Sequence, residues 1–475
     1  MTTTDPIPWT IQDMLSATGG ELLSGNPDSV LAGVSIDSRN IAADHAFVAI
    51  VGDIHNGHGF VEDVVQKGIR AVIINKTAAG EFVISAWQKA DVGCIAVDDT
   101  TRALGDLAAY NRRRADASVV AITGSNGKTT TRQLSAAVVN RRFNTLSTAG
   151  NFNNQIGLPL TLLRLQANHQ WAVVEIGTNS PGEIARLAEI CNADIGVITN
   201  VGPAHLEKLG SLDGVMREKG DLIKKLKHGG RAILNADDDR VRRLADRTDR
   251  EVILFGQTED ASVRAEAIRE TADGITFTLI LPEQHTTVNL NLSGRFMVAN
   301  ALAAAAVGYL TGVALNDIKA GLESFSTAAG RMRILHTPRG IHIIDDTYNA
   351  NPDSMRAALT TLKSLCSGRR SILVSGDMLE LGEHSRALHR QIGAQAGAMG
   401  IRKLFAAGDF AQAVATGAEE AGMDQGQIFT GAKDRIIEAL KNELQADDWV
   451  LVKGSRGMAM EEVVEALKKW AGVES

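Results

Sequence analysis

The loop Thr123-Gly124-Ser125-Asn126-Gly127-Lys128-Thr129 holds the residues best suited to chemistry. The apolar, β-branched run Val119-Val120-Ala121-Ile122 precedes it, and the threonines continue past Lys128 to Thr130 and Thr131. A buried strand that ends in a glycine turn and opens into a helix aims backbone N–H groups at an anion, and the helix dipole adds positive potential. Gly124 and Gly127 permit the turn and the close approach of a phosphate. Ser125, Asn126 and Thr130 complete the set of expected nucleotide contacts. Lys128 is placed to reach the β- and γ-phosphates of ATP, and the Thr129 hydroxyl to meet Mg²⁺. The common form of this motif has Gly five positions before the Gly-Lys pair, where this chain has Ile122. A plain glycine turn is the competing reading, and the Gly-Lys-Thr core directly after a strand argues against it.

Other residues carry weaker signals. Ala172-Val173-Val174-Glu175 reads as a buried strand ending in a carboxylate. Strand C-termini in parallel sheets face the ligand crevice, so Glu175 is either a Mg²⁺ ligand or a cap for a neighbouring helix. His205 lies just beyond the strand Ile195–Thr199, where a metal role competes with a structural one. Lys219 sits in a helical pattern, and spacing alone makes it a solvated lysine. Arg112-Arg113-Arg114 reads as a solvated helix end, and Asp237-Asp238-Asp239 as a turn with caps. His55 and His58 fall in the loop HNGHG, with a substrate contact as the alternative to a plain turn.

These residues need a scaffold. The chain has 475 residues, 44% hydrophobic and 22% charged, which suits a soluble globular protein of roughly two to four domains. The net charge of -7 argues against non-specific binding to nucleic acid or anionic lipid. Cys94, Cys191 and Cys366 show no metal or redox spacing and read as reduced thiols. The start, MTTTDPIPWTIQDML, lacks a basic segment followed by an apolar one, so a cytoplasmic location is expected. The stretch Ala301–Leu315 is too short to span a bilayer and reads as a buried helix.

Residues 1–98 mix β-type runs at Val34–Ile36, Ala46–Val51, Ala71–Ile74 and Cys94–Val97 with helical stretches, a small α/β unit. Residues 99–327 begin with a helix, Thr101–Arg114. Strands at Val119–Ile122, Ala172–Ile176, Ile195–Thr199, Ala232–Leu234 and Val252–Phe255 then alternate with helices. That alternation implies a parallel sheet covered by helices. Gly274–Leu281 and Thr286–Leu292 read as antiparallel strands, followed by a helix Met297–Leu310. Residues 328–475 repeat the alternation at Ile341–Ile344, Ile372–Val374, Leu404–Ala406 and Trp449–Val452, a Rossmann-like unit. The expected fold is therefore α/β in three domains, with the ATP site in the central parallel-sheet domain.

Taken together, TGSNGKTTT, EIGTNSPGEI, TNVGPAHLEKLGSLDGVMREKG, SGRFMVANALAAAA, GRM and DDTYNANPDSM resemble the Mur ligase family of ATP-dependent amide-forming enzymes. The resemblance spans nearly the whole chain, and the family shares the departure at Ile122. GNFNNQIGLPLTLL, DDTYNANPDSM and GDMLELGEHS resemble the member that adds D-Ala-D-Ala to UDP-MurNAc-tripeptide in peptidoglycan precursor synthesis. SIDSRNIAADHAFVAIVGDIHNGHGF resembles a UDP-binding domain shared with the ligase for the third stem residue. That ligase carries an Asp-Asn-Pro-Arg signature, absent here.

The resemblance implies two Mg²⁺ sites, with Thr129, Glu175, His205 and Lys219 as ligands and Lys219 carbamylated by CO₂. It implies that Asn300 and Arg331 contact ATP, with Arg331 near the γ-phosphate and Asp346 at the ribose. Tyr348, Asn349 and Asn351 face the cleft. Asn151 and Asn154 approach the UDP-sugar, and Ser38 and Arg39 the N-terminal nucleotide site. Lys128, Lys219, His205 and Arg331 form the expected catalytic set, in a chain expected to be a monomer with no nucleic-acid partner. The incoming amine is expected in the C-terminal domain, beside Gly376-Asp377-Met378-Leu379-Glu380 and Lys453-Gly454-Ser455-Arg456, each of which also reads as an ordinary strand-to-helix loop. The alternatives are the third-residue ligase, a folate polyglutamylating ligase, or a nucleotide-binding module without ligase chemistry.

Overall fold

The computed structural model describes residues 6–52, 54–271, 274–327 and 329–473. The expected start of the third unit at Ala328 and the first five residues of the N-terminal reading lie outside that set.

The first unit is a five-stranded sheet in the order Glu21–Ser24, Gly93–Val97, Ala71–Asn75, His45–Val48 and Gly33–Ser35. All neighbours are parallel except the pair involving Glu21–Ser24. Successive side chains of a strand point to opposite faces. Accordingly Ile73 and Ile95 pack with Trp9, Ile11 and Met14, while Val72, Ile74 and Cys94 pack with Trp87 on the other face. The strands Trp9–Thr10, Glu21–Ser24 and Val30–Leu31 span only two to four residues each, too few to leave an alternating pattern.

The helix Thr100–Ala115 joins this unit to the next. Asp99 starts it by accepting from the N–H groups of Thr101 and Arg102, a cap worth about 1 kcal/mol. Its Ala103, Leu104 and Leu107 belong to the N-terminal core, and its Ala108 and Ala115 to the central one. The triple arginine at its end is not uniformly solvated. Arg112 is buried, donating to Asn192 O at 2.9 Å and pairing with Asp194 at 3.3 Å.

The central sheet has nine strands: Gln284–Leu290, Gly274–Leu281, Val263–Thr271, Val252–Gly256, Arg231–Asn235, Ile195–Ile198, Ser118–Thr123, Trp171–Glu175 and Thr145–Ser147. Seven consecutive strands from Val263–Thr271 to Thr145–Ser147 are mutually parallel. The hairpin at the far edge is antiparallel. Ser118–Thr123 therefore lies between Ile195–Ile198 and Trp171–Glu175, with Ile122 opposite Glu175 and Thr123 opposite Ile198. This register brings the phosphate loop, Glu175 and the segment leading to His205 together at one sheet edge, the edge where parallel sheets bind ligands. The helix Phe296–Leu310 is buried along most of its length behind them.

The third unit is a six-stranded sheet in the order Arg333–His336, His342–Asp346, Trp449–Lys453, Ser371–Ser375, Lys403–Ala406 and Ile428–Thr430. It is parallel apart from the edge strand Arg333–His336. Asp346 and Lys453 end adjacent strands in register. Among the described residues, no helix is long and apolar enough to cross a membrane. All three cysteines are free and buried.

Candidate functional site

The phosphate loop is fixed in shape by contacts with Thr199, Asn200 and Asn300. Gly124 has φ 155° and Gly127 φ 78°. A Cβ on Gly124 would sit 1.8 Å from Thr199 Oγ1, and one on Gly127 2.3 Å from Asn300 Oδ1, so neither position admits a side chain. The Ser125 N–H donates to Asn200 O at 3.0 Å, and the Asn126 N–H to Asn200 Oδ1 at 2.8 Å. The Thr199 hydroxyl donates to Asn126 O at 2.6 Å. The N–H groups of Ser125 and Asn126 are thus engaged within the protein. The helix Lys128–Val139 opens directly after Gly127, so the N–H groups of Lys128, Thr129 and Thr130 lack intrahelical acceptors and are the natural phosphate donors. The Lys128 ammonium donates to Gly124 O at 2.8 Å. Burial pulls its pKa below the ordinary lysine value, the charge of Glu175 opposes this, and that of Arg331 adds to it.

Glu175 is the node of the site. It is buried, and its Oε2 accepts from the Thr129 hydroxyl at 2.7 Å while Oε1 accepts from Asn153 Nδ2 at 2.7 Å. The Arg132 guanidinium lies 4.0 Å from Oε2 and donates to Ser147 Oγ at 3.2 Å and Gly150 O at 3.3 Å. Asn153 and Arg132 were not among the expected site residues. Arg132 had a readable signal, since three positions after Thr129 it shares a helix face with it. Asn153 stands among three asparagines in one loop, and only the fold tells them apart. Asn154 lines the cavity, but its Oδ1 is engaged by the N–H groups of Ile156 and Gly157. Asn151 is exposed.

Lys219 is 1% exposed in the helix Leu212–Lys224, which overturns its reading as a solvated lysine. Burial drives its pKa well below the ordinary value, and the charge of Lys128 pushes the same way against that of Glu218. His205 has φ 55°, and its Nδ1 lies 2.5 Å from Glu380 Oε2. Among the described residues, no three His, Cys, Asp or Glu side chains converge as a ready metal cluster. Thr129 and Glu175 do fit Mg²⁺ by donor chemistry. They offer a hydroxyl and a carboxylate, hard oxygen donors for an ion that keeps several waters and phosphate oxygens.

The facing wall comes from the third unit. Asp346 accepts from Lys453 Nζ at 2.6 Å, and the same ammonium donates to Asn349 O at 2.8 Å. Lys453 is therefore tied to Asp346 and to the backbone of Asn349. The Arg331 guanidinium stacks 3.8 Å above the Tyr348 ring, a cation–π contact. Asn351 caps the helix Pro352–Cys366 and also donates from Nδ2 to Asn126 Oδ1 at 2.7 Å. Together these walls enclose a cavity of about 490 Å³. It is lined by Ser125–Thr130, Glu175, His205, Asn300, Arg331, Asp346, Tyr348, Asn349 and Asn351.

Several expected residues lie elsewhere. Ser38, Arg39, Asn151 and Lys219 do not line this cavity. Arg39 is exposed and holds Asp37, whose carboxyl falls to about 2 because Arg39 donates to it. His58 is buried, and its Nε2 accepts from the Asn75 N–H at 2.9 Å, which makes it part of the N-terminal frame. Asp238 caps the helix Asp239–Ala245 as expected and also accepts from the Val201 N–H at 2.8 Å, steadying the segment before His205.

Comparison with known proteins agrees with this architecture. Three family models match consecutive segments: "Mur ligase family, catalytic domain" over residues 30–112, "Mur ligase middle domain" over 122–308, and "Mur ligase, glutamate ligase domain" over 330–456. The UDP-N-acetylmuramoyl-tripeptide–D-alanyl-D-alanine ligase of Escherichia coli is 38% identical over 97% of this chain and 98% of that protein. The ligase of the same name from Bacillus subtilis is 34% identical over 92% and 93%. Among solved structures, MurF from Acinetobacter baumannii superimposes with a TM-score of 0.88 at 33% identity, covering 98% of this chain and 100% of that one. MurF from Thermotoga maritima in complex with ADP gives 0.82 at 26% identity, covering 93% and 98%. A UDP-N-acetylmuramoyl-L-alanyl-D-glutamate–2,6-diaminopimelate ligase, 19% identical with a TM-score of 0.56 over 98% of this chain and 99% of that one, shares the fold alone.

Proposed function

This chain belongs to the Mur ligase family, and from that premise we infer that it is the ATP-dependent ligase joining D-Ala-D-Ala to UDP-MurNAc-tripeptide in the cytoplasm. The observation that carries the reading is one cavity walled by the phosphate loop on one side and by Asp346–Asn351 on the other. A nucleotide seated on the first wall faces a second wall able to receive another reactant.

A carboxylate is a poor electrophile, so the reaction first activates it. An oxygen of the tripeptide carboxylate bonds to the γ-phosphorus of ATP, the bond to the β-phosphate oxygen breaks, and ADP leaves. The amine of D-Ala-D-Ala then attacks the acyl carbon of the acyl phosphate, loses its proton, and phosphate departs. The first step gathers negative oxygens in one place. Lys128 and Arg331 offset that charge, and the helix N-terminus at Lys128–Thr130 fixes the phosphates. Thr129 and Glu175 would hold Mg²⁺, which supplies further neutralisation of the phosphate oxygens. Closure of the third unit over the second would exclude water that hydrolyses the acyl phosphate.

Lys219 takes a separate part. A lysine whose pKa is pulled down by burial carries a larger share of neutral amine, the form that adds CO₂. Its carbamate would turn a buried cation into an anion for a second Mg²⁺, with His205. Asp346 binds the ribose through the oxygen edge that Lys453 steadies. Asn154, on the cavity wall, approaches the UDP-sugar, and Ser38 and Arg39 serve the N-terminal nucleotide site away from the cavity.

Amine specificity tests the assignment. Phosphate release in the presence of the tripeptide substrate is expected with D-Ala-D-Ala, and neither with diaminopimelate nor with glutamate. Stimulation by a single amino acid in place of the dipeptide would move the chain to a sister activity.

A further inference from the structure

The contact between His205 and Glu380 joins two units that are otherwise separate in sequence. His205 follows a strand of the central sheet, and Glu380 follows the strand Ser371–Ser375 of the C-terminal one. A second bond runs beside the first, from the Glu207 N–H to Glu380 O at 3.2 Å. Both His205 and Glu380 occupy the left-handed backbone region, with φ 55° and 63°. Such a conformation is strained for residues other than glycine and persists where the surroundings demand it. Here two strained residues meet each other.

The chemistry of the pair is directional. An ionised carboxylate only accepts hydrogen bonds. The 2.5 Å approach of Glu380 Oε2 to His205 Nδ1 therefore places a proton on Nδ1. In the neutral ring this leaves Nε2 with its lone pair. His205 lines the cavity, while Glu380 is half exposed. A histidine held this way by a carboxylate has a fixed tautomer and a fixed ring plane, the arrangement that prepares an imidazole to act as a ligand.

We propose that Glu380 is a positioning residue of the ligase reaction: docking of the C-terminal unit delivers its carboxylate to His205, so the nucleotide site of the central unit is complete only when the third unit is in place. This rests on the ligase reading above. Glu380 itself touches neither nucleotide nor reacting atoms in this role.

The test compares Glu380→Ala and Glu380→Gln in the full-length protein. Hydrogen exchange of the segment 203–211 is measured without ligand, and kinetics with Mg-ATP, UDP-MurNAc-tripeptide and D-Ala-D-Ala. Glu380→Ala is expected to speed exchange in that segment and lower kcat about 10- to 100-fold, with the KM for the UDP substrate unchanged. Glu380→Gln keeps an acceptor oxygen and is expected to recover part of both effects. Wild-type exchange and kcat in Glu380→Ala would overturn the proposal. So would a loss of kcat with no change in exchange at 203–211, which would place Glu380 on a substrate instead. A wild-type protein without turnover would refute the ligase reading, while the exchange contrast would still report on the contact.

Discussion

Asn351 Nδ2 donates a hydrogen bond to Asn126 Oδ1 at 2.7 Å, linking the cap of a C-terminal helix to the phosphate loop. The same Asn351 side chain accepts from the Ser354 N–H at 2.9 Å, so one residue both starts a helix and fastens two units. Nucleotide binding at the loop and placement of the third unit are thereby linked through a single amide. Asn351→Asp keeps the cap, because Asp caps as well as Asn, but replaces the donor with an anion facing Asn126 Oδ1. The expected result is a melting temperature close to wild type with a raised KM for ATP. An unchanged KM would mean that the fastening has no bearing on nucleotide binding.

Lys128 is half-buried in the phosphate loop, its ammonium donating to Gly124 O at 2.8 Å. Lys128→Met preserves length and removes the charge. A fall in kcat of about 10²–10³-fold is expected, the scale seen when one preorganised donor is removed from a developing anion. Circular dichroism should show the fold intact.

The pair Asp346–Lys453 ties two adjacent strands of the third unit. Lys453 is 2% exposed, so Asp346→Ala strands a buried cation. Loss of one partner of such a pair destabilises by about 3–5 kcal/mol. Denaturant unfolding should show that loss in Asp346→Ala and recovery of much of it in Asp346→Ala/Lys453→Met. Nucleotide affinity should stay weak in both, since the second change restores packing and no ribose partner.

Lys219 yields a pH prediction with a definite sign. Its folded pKa lies below the unfolded value because burial disfavours the ammonium. Protonated Lys219 therefore costs stability at every pH below its folded pKa. That cost fades as pH rises toward the unfolded value, because the unfolded state binds the extra proton. In CO₂-free buffer Lys219→Met should melt higher than wild type at pH 7, and the gap should narrow toward pH 10. A constant gap would mean that the amine is not depressed. With ¹³C-bicarbonate the wild type should gain a carbamate carbon signal that Lys219→Met lacks.

The thiols give a simpler check. Burial raises Cys94 and Cys191 to about 12. Neither should react with a disulfide reagent at pH 8 until denaturant is added. Labelling of either in the native protein would contradict its burial.

Much of this site was legible in the sequence because its parts sit at strand ends. Val119–Ile122 and Ala172–Val174 are continuous apolar runs, and the residues after them fall at the sheet edge by construction. The burial of Lys219 was not legible from spacing. Its helix is amphipathic, yet the side chain sits on the buried face, and only the packing of the Leu212–Lys224 helix reveals it. Arg112 misled for the same reason, since Asp194 lies 82 residues away in sequence. Asn153 was hidden by its neighbours, because three asparagines in one loop carry the same local signal and Glu175 selects one of them. The tie between Lys453 and Asp346 depends on strand order, as 107 residues separate them and only the parallel pairing sets them side by side.

The central claim is that this chain couples ATP cleavage to formation of one amide bond. The most direct measurement is phosphate release from Mg-ATP with UDP-MurNAc-tripeptide, with and without D-Ala-D-Ala, alongside mass spectrometry of the products. The account predicts that sustained release requires both substrates and matches the pentapeptide nucleotide formed, one for one. Nucleotide binding with no release under any amine would contradict it and leave a binding module in place of a ligase.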